Sequence, residues 1–290
     1  MKVAVVGAGS WGTAFAGVME ERGHEVTLAG RDAPEKPEVA AAELVCVAVP
    51  SRVFREVTAA LPGAAPVLIL TKGLDPETGR RLSQVVEGRE PFVLSGPNHA
   101  EEIAQGLPAA AVLASTNEAL ATELQHEIHS VRFRVYVNTD LVGVELCAAS
   151  KNVIALAAGA VDGLEAGDNA KAALITRGLA EMARLGEACG ARGETFSGMA
   201  GMGDLMVTCW SRHGRNRRAG ELIARGATPD QAAAEIGQVV EGLTTAPVLR
   251  ELARRNGVEL PITEAVCQVL DGASLSQLVS GLMGRRPTDE

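Results

Sequence analysis

The sequence predicts an α/β chain in which an N-terminal parallel-sheet domain is followed by an all-α domain. Two observations carry this. From Met1 to about Asn138, short β-branched runs alternate with helix-length segments: Lys2–Val6, Glu25–Ala29, Leu44–Val49, Pro66–Thr71, Phe92–Ser95, Ala109–Ala114 and Arg132–Val137. Continuous apolar strands separated by helices mark a parallel sheet covered on both faces. After Thr139 the pattern changes: Asn169–Cys189, Ala219–Arg225, Thr245–Asn256 and Ile262–Leu270 space their apolar residues by three and four, the period of helices. The expected domains are 1–140 and 141–290, with a cleft between them.

At 290 residues and 47% hydrophobic content, the chain can bury a large core. A net charge of −9 argues against a nucleic acid or an anionic membrane as partner, because either repels an acidic protein at long range. Any phosphate must be met locally. The five cysteines are scattered without a CxxC pair, as in a reducing compartment, so a cytoplasmic location is expected. The apolar N-terminal run is short and ends in glycines, unlike a signal peptide. No stretch reaches the roughly eighteen uncharged apolar residues of a membrane span. His126 and His129 lie three apart, but no third ligand is near in sequence, so no metal site is expected. The Met199–Met206 stretch reads as packing around a glycine-rich bend.

The first strand runs into GAGSWG, which places Gly7, Gly9 and Gly12 at the GxGxxG positions with a helix following. Gly7 permits the tight turn, Gly9 lets a pyrophosphate approach the backbone, and Gly12 allows close helix packing. This is the mark of a Rossmann-type dinucleotide domain, with phosphates facing a helix N-terminus. The second strand ends Leu28-Ala29-Gly30-Arg31, where an NAD-selective site would carry an acid. Arg31 can pair with a 2′-phosphate, which favours NADPH, while Asp32 leaves NADH as the alternative.

Of the 27 basic residues only five are lysine, so arginine serves wherever a generic positive charge will do. A buried lysine offers an ammonium whose pKa can fall toward neutrality. Lys72 follows the fourth strand, at the end where α/β sheets bind ligands, and Lys151 precedes the apolar run Asn152–Ala158. These two are the candidates for the reacting centre. Lys171 reads either as part of the site's rim or, the better reading, as a first-turn helix residue.

GAGSWGTA, TKG at Thr71–Gly73, SGPNHAEE at Ser95–Glu102, KNVIALAAGAVDGL at Lys151–Leu164, NAKAALITRGLAEM at Asn169–Met182, GMGDLMVTC at Gly201–Cys209, GRNRRAG at Gly214–Gly220 and VVEG at Val239–Gly242 together resemble the bacterial NAD(P)-dependent glycerol-3-phosphate dehydrogenases. The resemblance covers nearly the whole chain in order. It implies reversible reduction of dihydroxyacetone phosphate to sn-glycerol 3-phosphate for glycerophospholipid synthesis. Lys151 resembles the family's proton-transferring lysine, Asp204 the acid that pairs with the site lysine, and Lys72 a residue touching substrate and cofactor. Gly96, Asn98, Asn169 and Thr208 are matched to the substrate site. Gly214, Arg215 and Asn216 match the block that grips the substrate phosphate, with Arg215 also reaching the cofactor. Ser10, Trp11, Ala100, Val239 and Glu241 are matched to cofactor contacts. For Arg217 and Arg218 a solvated face is at least as good a reading.

Three features depart from the family pattern. The segment between Arg31 and Glu43 is short, Gly214 stands where serine is usual, with Ser211 the one nearby substitute hydroxyl, and Asn98-His99 replace a hydroxyl residue and an aromatic. The expected partner is a small phosphorylated three-carbon substrate, and homodimerisation is left open. The rival readings are another reductase of this build, acting on a β-hydroxyacid or ketopantoate, and a non-catalytic NADP(H) sensor.

Overall fold

The structure, a computed structural model, describes residues 1–30 and 36–275. Seven strands, β1 (Lys2–Val6), β2 (Glu25–Ala29), β3 (Leu44–Val47), β4 (Val67–Ile69), β5 (Pro91–Ser95), β6 (Ala109–Ala114) and β7 (Phe133–Asn138), form one sheet in the order β2-β1-β3-β4-β5-β6-β7. Strand β1 shows why the runs are continuously apolar. Its Val3 and Val5 pack into the core on one face, and its Ala4 and Val6 into the core on the other.

Strands β1 to β5 pair in parallel. From β1 the chain moves outward through α1 (Ser10–Glu21) to the edge strand β2, then returns past β1 through α2 (Pro37–Ala40) to β3. The change of direction opens a crevice beyond the carboxyl ends of β1 and β3, the place where such sheets hold ligands. Three further helices, α3 (Ser51–Ala59), α4 (Ala100–Ala104) and α5 (Glu118–Ile128), complete this half.

The sheet departs from the expected all-parallel arrangement at one point, because β6 runs antiparallel to β5. Between them stands only α4. Five helical residues span about 8 Å, too short to carry the chain back along a strand of about 17 Å. The chain therefore turns and runs back, and β7 follows parallel to β6.

The second half is helical: α6 (Leu141–Gly163), α7 (Gly167–Ala188), α8 (Gly193–Ser197), α9 (Asp204–Trp210), α10 (Arg215–Ala224), α11 (Pro229–Ile236), α12 (Glu241–Arg255) and α13 (Pro261–Leu270), with a π-helical turn at Met199–Gly203. Helix α6 is its axis and is buried over nearly its whole length. By length and composition it could cross a membrane, but 89% of its apolar window is buried inside the protein, and no other described helix passes that test. Helix α10 lies against it at backbone distance. A Cβ on Gly220 would sit 1.9 Å from the Leu156 carbonyl oxygen, and one on Gly159 1.8 Å from that of Arg217.

The two halves share one hydrophobic cluster, which runs from Ala4 and Val47 under the sheet to Val144 and Ile154 of α6. A buried carboxylate adds a polar tie. Glu145 of α6 accepts from the backbone nitrogen of Ser83 at 2.8 Å and from Arg81 at 2.7 Å, at the start of a 3-10 helical turn, Leu82–Val85, between β4 and β5. The reading of Met199–Met206 as internal packing needs correction. Met199, Met202 and Met206 are each exposed by more than two-fifths, and the buried side of the turn is Ala200 and Gly201, where the backbone of Phe196 leaves no room for a side chain.

Glycine packing makes opposite predictions at two positions. Gly220→Ala forces α10 off α6 and lowers stability by about 3 kcal/mol. Gly17→Ala, mid-helix in α1 with nothing within 4 Å, raises it by about 0.5–1 kcal/mol. Urea unfolding midpoints distinguish the two.

Candidate active site

A cleft of about 520 Å³ lies beyond the carboxyl ends of β1, β3, β4 and β5, walled on its far side by α6, α9, α10 and α12. The glycine turn forms one end. Gly7 takes φ +113°, a conformation side chains rarely adopt, and donates its N–H to the Ala29 carbonyl at 2.8 Å. A Cβ on Gly12 would lie 1.9 Å from the Gly7 carbonyl oxygen, so α1 can start where it does only with glycine there. Gly9 lines the cleft, and a Cβ on it would meet nothing. No side chain caps α1, which leaves its first N–H groups for an anion. Ser10 and Trp11 line the same end. The turn and open helix end therefore fit a dinucleotide pyrophosphate. Arg31, on which the choice of dinucleotide turned, lies outside the described residues.

Behind Lys72 and Lys151, which line the cleft, is Asp204, only 1% exposed. One carboxylate oxygen accepts from Lys151 Nζ at 2.6 Å. The other accepts from Lys72 Nζ at 3.1 Å, Ser95 Oγ at 3.1 Å and the Gly96 nitrogen at 3.3 Å. Burial pushes this carboxyl up, but the Lys151 and Lys72 ammoniums outweigh it and hold the pKa at about 2. Thr208, one turn along α9, accepts from Lys151 Nζ at 2.9 Å. The spacing of four thus puts Asp204 and Thr208 on one face, aimed at one ammonium.

Lys72 leaves the sheet just past β4 and also donates to Asn98 Oδ1 at 2.8 Å and to the Gly96 carbonyl at 3.4 Å. Its ammonium lies 6.0 Å from the Trp11 ring centroid. Burial lowers its pKa from 10.5 to about 8; Asp204 opposes the fall and Lys151 adds to it. As pH rises through about 8 toward 10.5, the folded chain releases this proton before the unfolded chain does. The cost of burying the ammonium is relieved, and stability gains from this group across that window.

The far end of the cleft is the start of α10. Gly214 precedes the helix, Arg215 is exposed and donates to the Val239 carbonyl at 3.1 Å, and Asn216 is buried. Gly214 is a packing requirement here. A Cβ would lie 2.8 Å from the Thr208 carbonyl oxygen and 3.1 Å from that of Ser211. Ser211 does not replace a missing hydroxyl, since it is not among the residues lining the cleft and its Oγ accepts from the His213 nitrogen at 3.1 Å. Ala100, Val239 and Glu241 also line the cleft. Glu241 accepts from the nitrogen and Oγ of Ser51, at 3.0 and 2.6 Å, which ties α12 to the start of α3. Burial raises its pKa.

One predicted residue lies elsewhere. Asn169 is exposed in the first turn of α7, outside the cleft lining. Lys171, two residues on, is paired with Asp162 near the end of α6. That is about three helical turns, some 16 Å, from Lys151. Beside Asn98 and Asn216, a third amide lines the cleft, that of Asn152, next to Lys151. It donates to the Lys72 carbonyl and accepts from Asn216 at 2.9 Å, and Asn216 in turn accepts from the Gly242 nitrogen. The sequence had already set Asn152 beside the lysine, but read it as the start of an apolar run. Ser51 and Ser95 were also missed, being single hydroxyls at strand and helix ends. Lys171, expected as a first-turn helix residue, is buried at 5% exposure, and Arg217, expected in part as a solvated side chain, is tied to Asp162. Arg218 is exposed and pairs with Glu235.

Competitive acylation at graded pH, read by peptide mass spectrometry, should give Lys72 an apparent pKa near 8. Asp204→Asn removes the charge that opposes the fall, so the Lys72 value should drop further. An unchanged value would mean that Asp204 does not hold this ammonium.

Comparison with known proteins agrees with the geometry. The profile described as NAD-dependent glycerol-3-phosphate dehydrogenase C-terminus matches residues 140–280, and the corresponding N-terminus profile matches residues 2–41 and 34–121. Glycerol-3-phosphate dehydrogenase [NAD(P)+] of Desulfitobacterium hafniense is 44% identical over 98% of this chain and 91% of its own length. That of Cronobacter sakazakii is 44% identical over 99% and 96%. The crystal structure of glycerol-3-phosphate dehydrogenase from Coxiella burnetii superposes with a TM-score of 0.91 at 36% identity, covering 98% of both chains. The chain belongs to the NAD-dependent glycerol-3-phosphate dehydrogenase family.

Proposed function

We propose that this chain reduces the carbonyl of dihydroxyacetone phosphate to sn-glycerol 3-phosphate, reversibly, to supply glycerophospholipid synthesis. The observation that carries the reading is the layout of one cleft: a lysine pair sharing a buried carboxylate lies between a dinucleotide-type glycine turn and a helix start bearing Arg215 and Asn216. We assign residues 1–140 to the cofactor and 141–290 to the substrate, and place the chain in the cytoplasm, where its five free thiols stay reduced.

The residues at the glycine turn, with Lys72, Ala100, Arg215, Val239 and Glu241, would hold NADPH, which supplies the hydride. As the carbonyl carbon gains that hydride, the π pair moves to oxygen and the Lys151 ammonium gives it a proton, forming the alcohol. The charge beside the developing alkoxide stabilises the transition state more than the ground state. Asp204 and Thr208 hold Lys151 in place in both of its protonation states, ready to accept the proton in the reverse direction. Lys72 and Asn98 position the hydroxyketone end. The Arg215 guanidinium and the first turn of α10 take the phosphate. Arg31 is assigned the 2′-phosphate on the sequence argument alone.

Steady-state assays with dihydroxyacetone phosphate and both cofactors test the reading. Lys151→Met should lower kcat by about 10²–10⁴. Arg215→Ala should raise KM for the ketone about 10- to 100-fold. Arg31→Ala should raise KM for NADPH more than for NADH. Cofactor binding without turnover would mark a sensor, and faster turnover of an unphosphorylated 2-keto acid would mark a different reductase.

A further inference from the structure

One charged cluster lies outside the cleft and has no part in the chemistry above. Near the carboxyl end of α6, Asp162 accepts from Lys171 Nζ at 2.9 and 2.8 Å and from Nη1 of Arg217 at 2.7 Å. That Nη1 also reaches Glu221 at 3.3 Å. The Nε of Arg217 donates to the Ser211 carbonyl at 3.1 Å, the same oxygen that accepts the Gly214 nitrogen at 3.1 Å. The Lys171 ammonium lies 5.1 Å from the Trp210 ring centroid. One carboxylate therefore holds the last residue of α9, Trp210, through Lys171 and the first residue of the Ser211–Gly214 loop through Arg217.

This loop joins the two parts of the substrate site. Before it stands α9 with Asp204 and Thr208; after it comes α10, which opens with Arg215 and Asn216. Its Ser-Arg-His-Gly sequence offers no apolar side chain to bury, so apart from the His213 ring, which stands edge-on to His99 at 6.5 Å between centroids, it orders through hydrogen bonds and ion pairs. Helix α10 itself is fixed by its glycine contacts with α6. What remains adjustable is the loop and the first turn that follows it. The Lys171 and Arg217 side chains are only 7% and 16% exposed, and cations that desolvated stay ordered only when paired.

We infer that Asp162 is a positioning residue: with Lys171 and Arg217 it fixes the Ser211–Gly214 loop, and so sets where the phosphate-binding start of α10 stands relative to Lys151. This rests on the substrate reading given above. An error of about 1 Å in such a spacing costs up to 10²-fold in rate or affinity.

The test compares wild type with Asp162→Asn, Asp162→Glu and Arg217→Lys, the last keeping a cation but losing the second donor to Ser211. Four quantities are read: KM and kcat for dihydroxyacetone phosphate, calorimetric affinity for inorganic phosphate, NADPH affinity, and Tm. In Asp162→Asn and Arg217→Lys, KM for the ketone should rise about tenfold, with phosphate affinity falling in step. The kcat should change less than about threefold and NADPH affinity should hold. Asp162→Glu should recover most of the loss. Unchanged phosphate affinity in a folded variant overturns the inference, as does a parallel loss of NADPH affinity and kcat, which would mark a general structural role. If Asp162→Asn does not fold, Arg217→Lys decides by the same criteria. Absence of wild-type turnover would overturn the reading of function instead, since phosphate binding is measured without turnover.

Discussion

The Asp204 carboxylate stands between two ammonium groups that reach it from different parts of the chain, Lys72 from the end of β4 and Lys151 from the middle of α6. Burial alone pushes the Lys72 ammonium toward losing its proton. Together the two ammoniums would repel each other. One carboxylate between them, backed by Ser95 and the Gly96 nitrogen, accepts from both. Because the two lysines come from opposite sides of the cleft, the interaction that makes the chemistry available also fixes the width of the site.

Backbone proximity does the rest of the positioning. The cleft exists because the chain reverses direction across the sheet between β2 and β3, so that the loops after four parallel strands open toward one place. Its other wall is set by α6 and α10, whose backbones nearly touch at Gly159 and Gly220. Gly214 belongs to the same economy of space. With the Thr208 carbonyl 2.8 Å from where a Cβ would be, the turn into the phosphate end is closed by backbone alone, and Asp162 steadies it from outside.

Much of this was legible in the sequence, for identifiable reasons. The five inner strands showed because strands buried on both faces read as unbroken apolar runs, and GAGSWG showed because each glycine answers a different steric demand. Scarcity exposed Lys72 and Lys151: in an arginine-rich chain a lysine in apolar surroundings stands out. Other features had no local signature. The reversal of β6 depends on the shortness of α4, which the apolar pattern does not encode. Asn152 was hidden inside an apolar helix, and its partners Lys72 and Asn216 are distant in sequence. Asn169 sits near the right residues in sequence, but the length of α6 carries it away from them. The Met199–Met206 run looked like core, because methionine on a surface and methionine in a core read alike.

The central claim is that one buried negative charge keeps two buried positive charges in place. Chemical unfolding at pH 7 tests it by comparing wild type, Asp204→Asn, and a triple variant carrying Lys72→Met, Lys151→Met and Asp204→Leu. Removing the carboxylate alone should cost about 3–5 kcal/mol, because it strands two ammoniums, and replacing all three groups with apolar ones should recover most of that while abolishing turnover. An Asp204→Asn protein as stable as wild type, or a triple variant no more stable than the single one, would contradict the account.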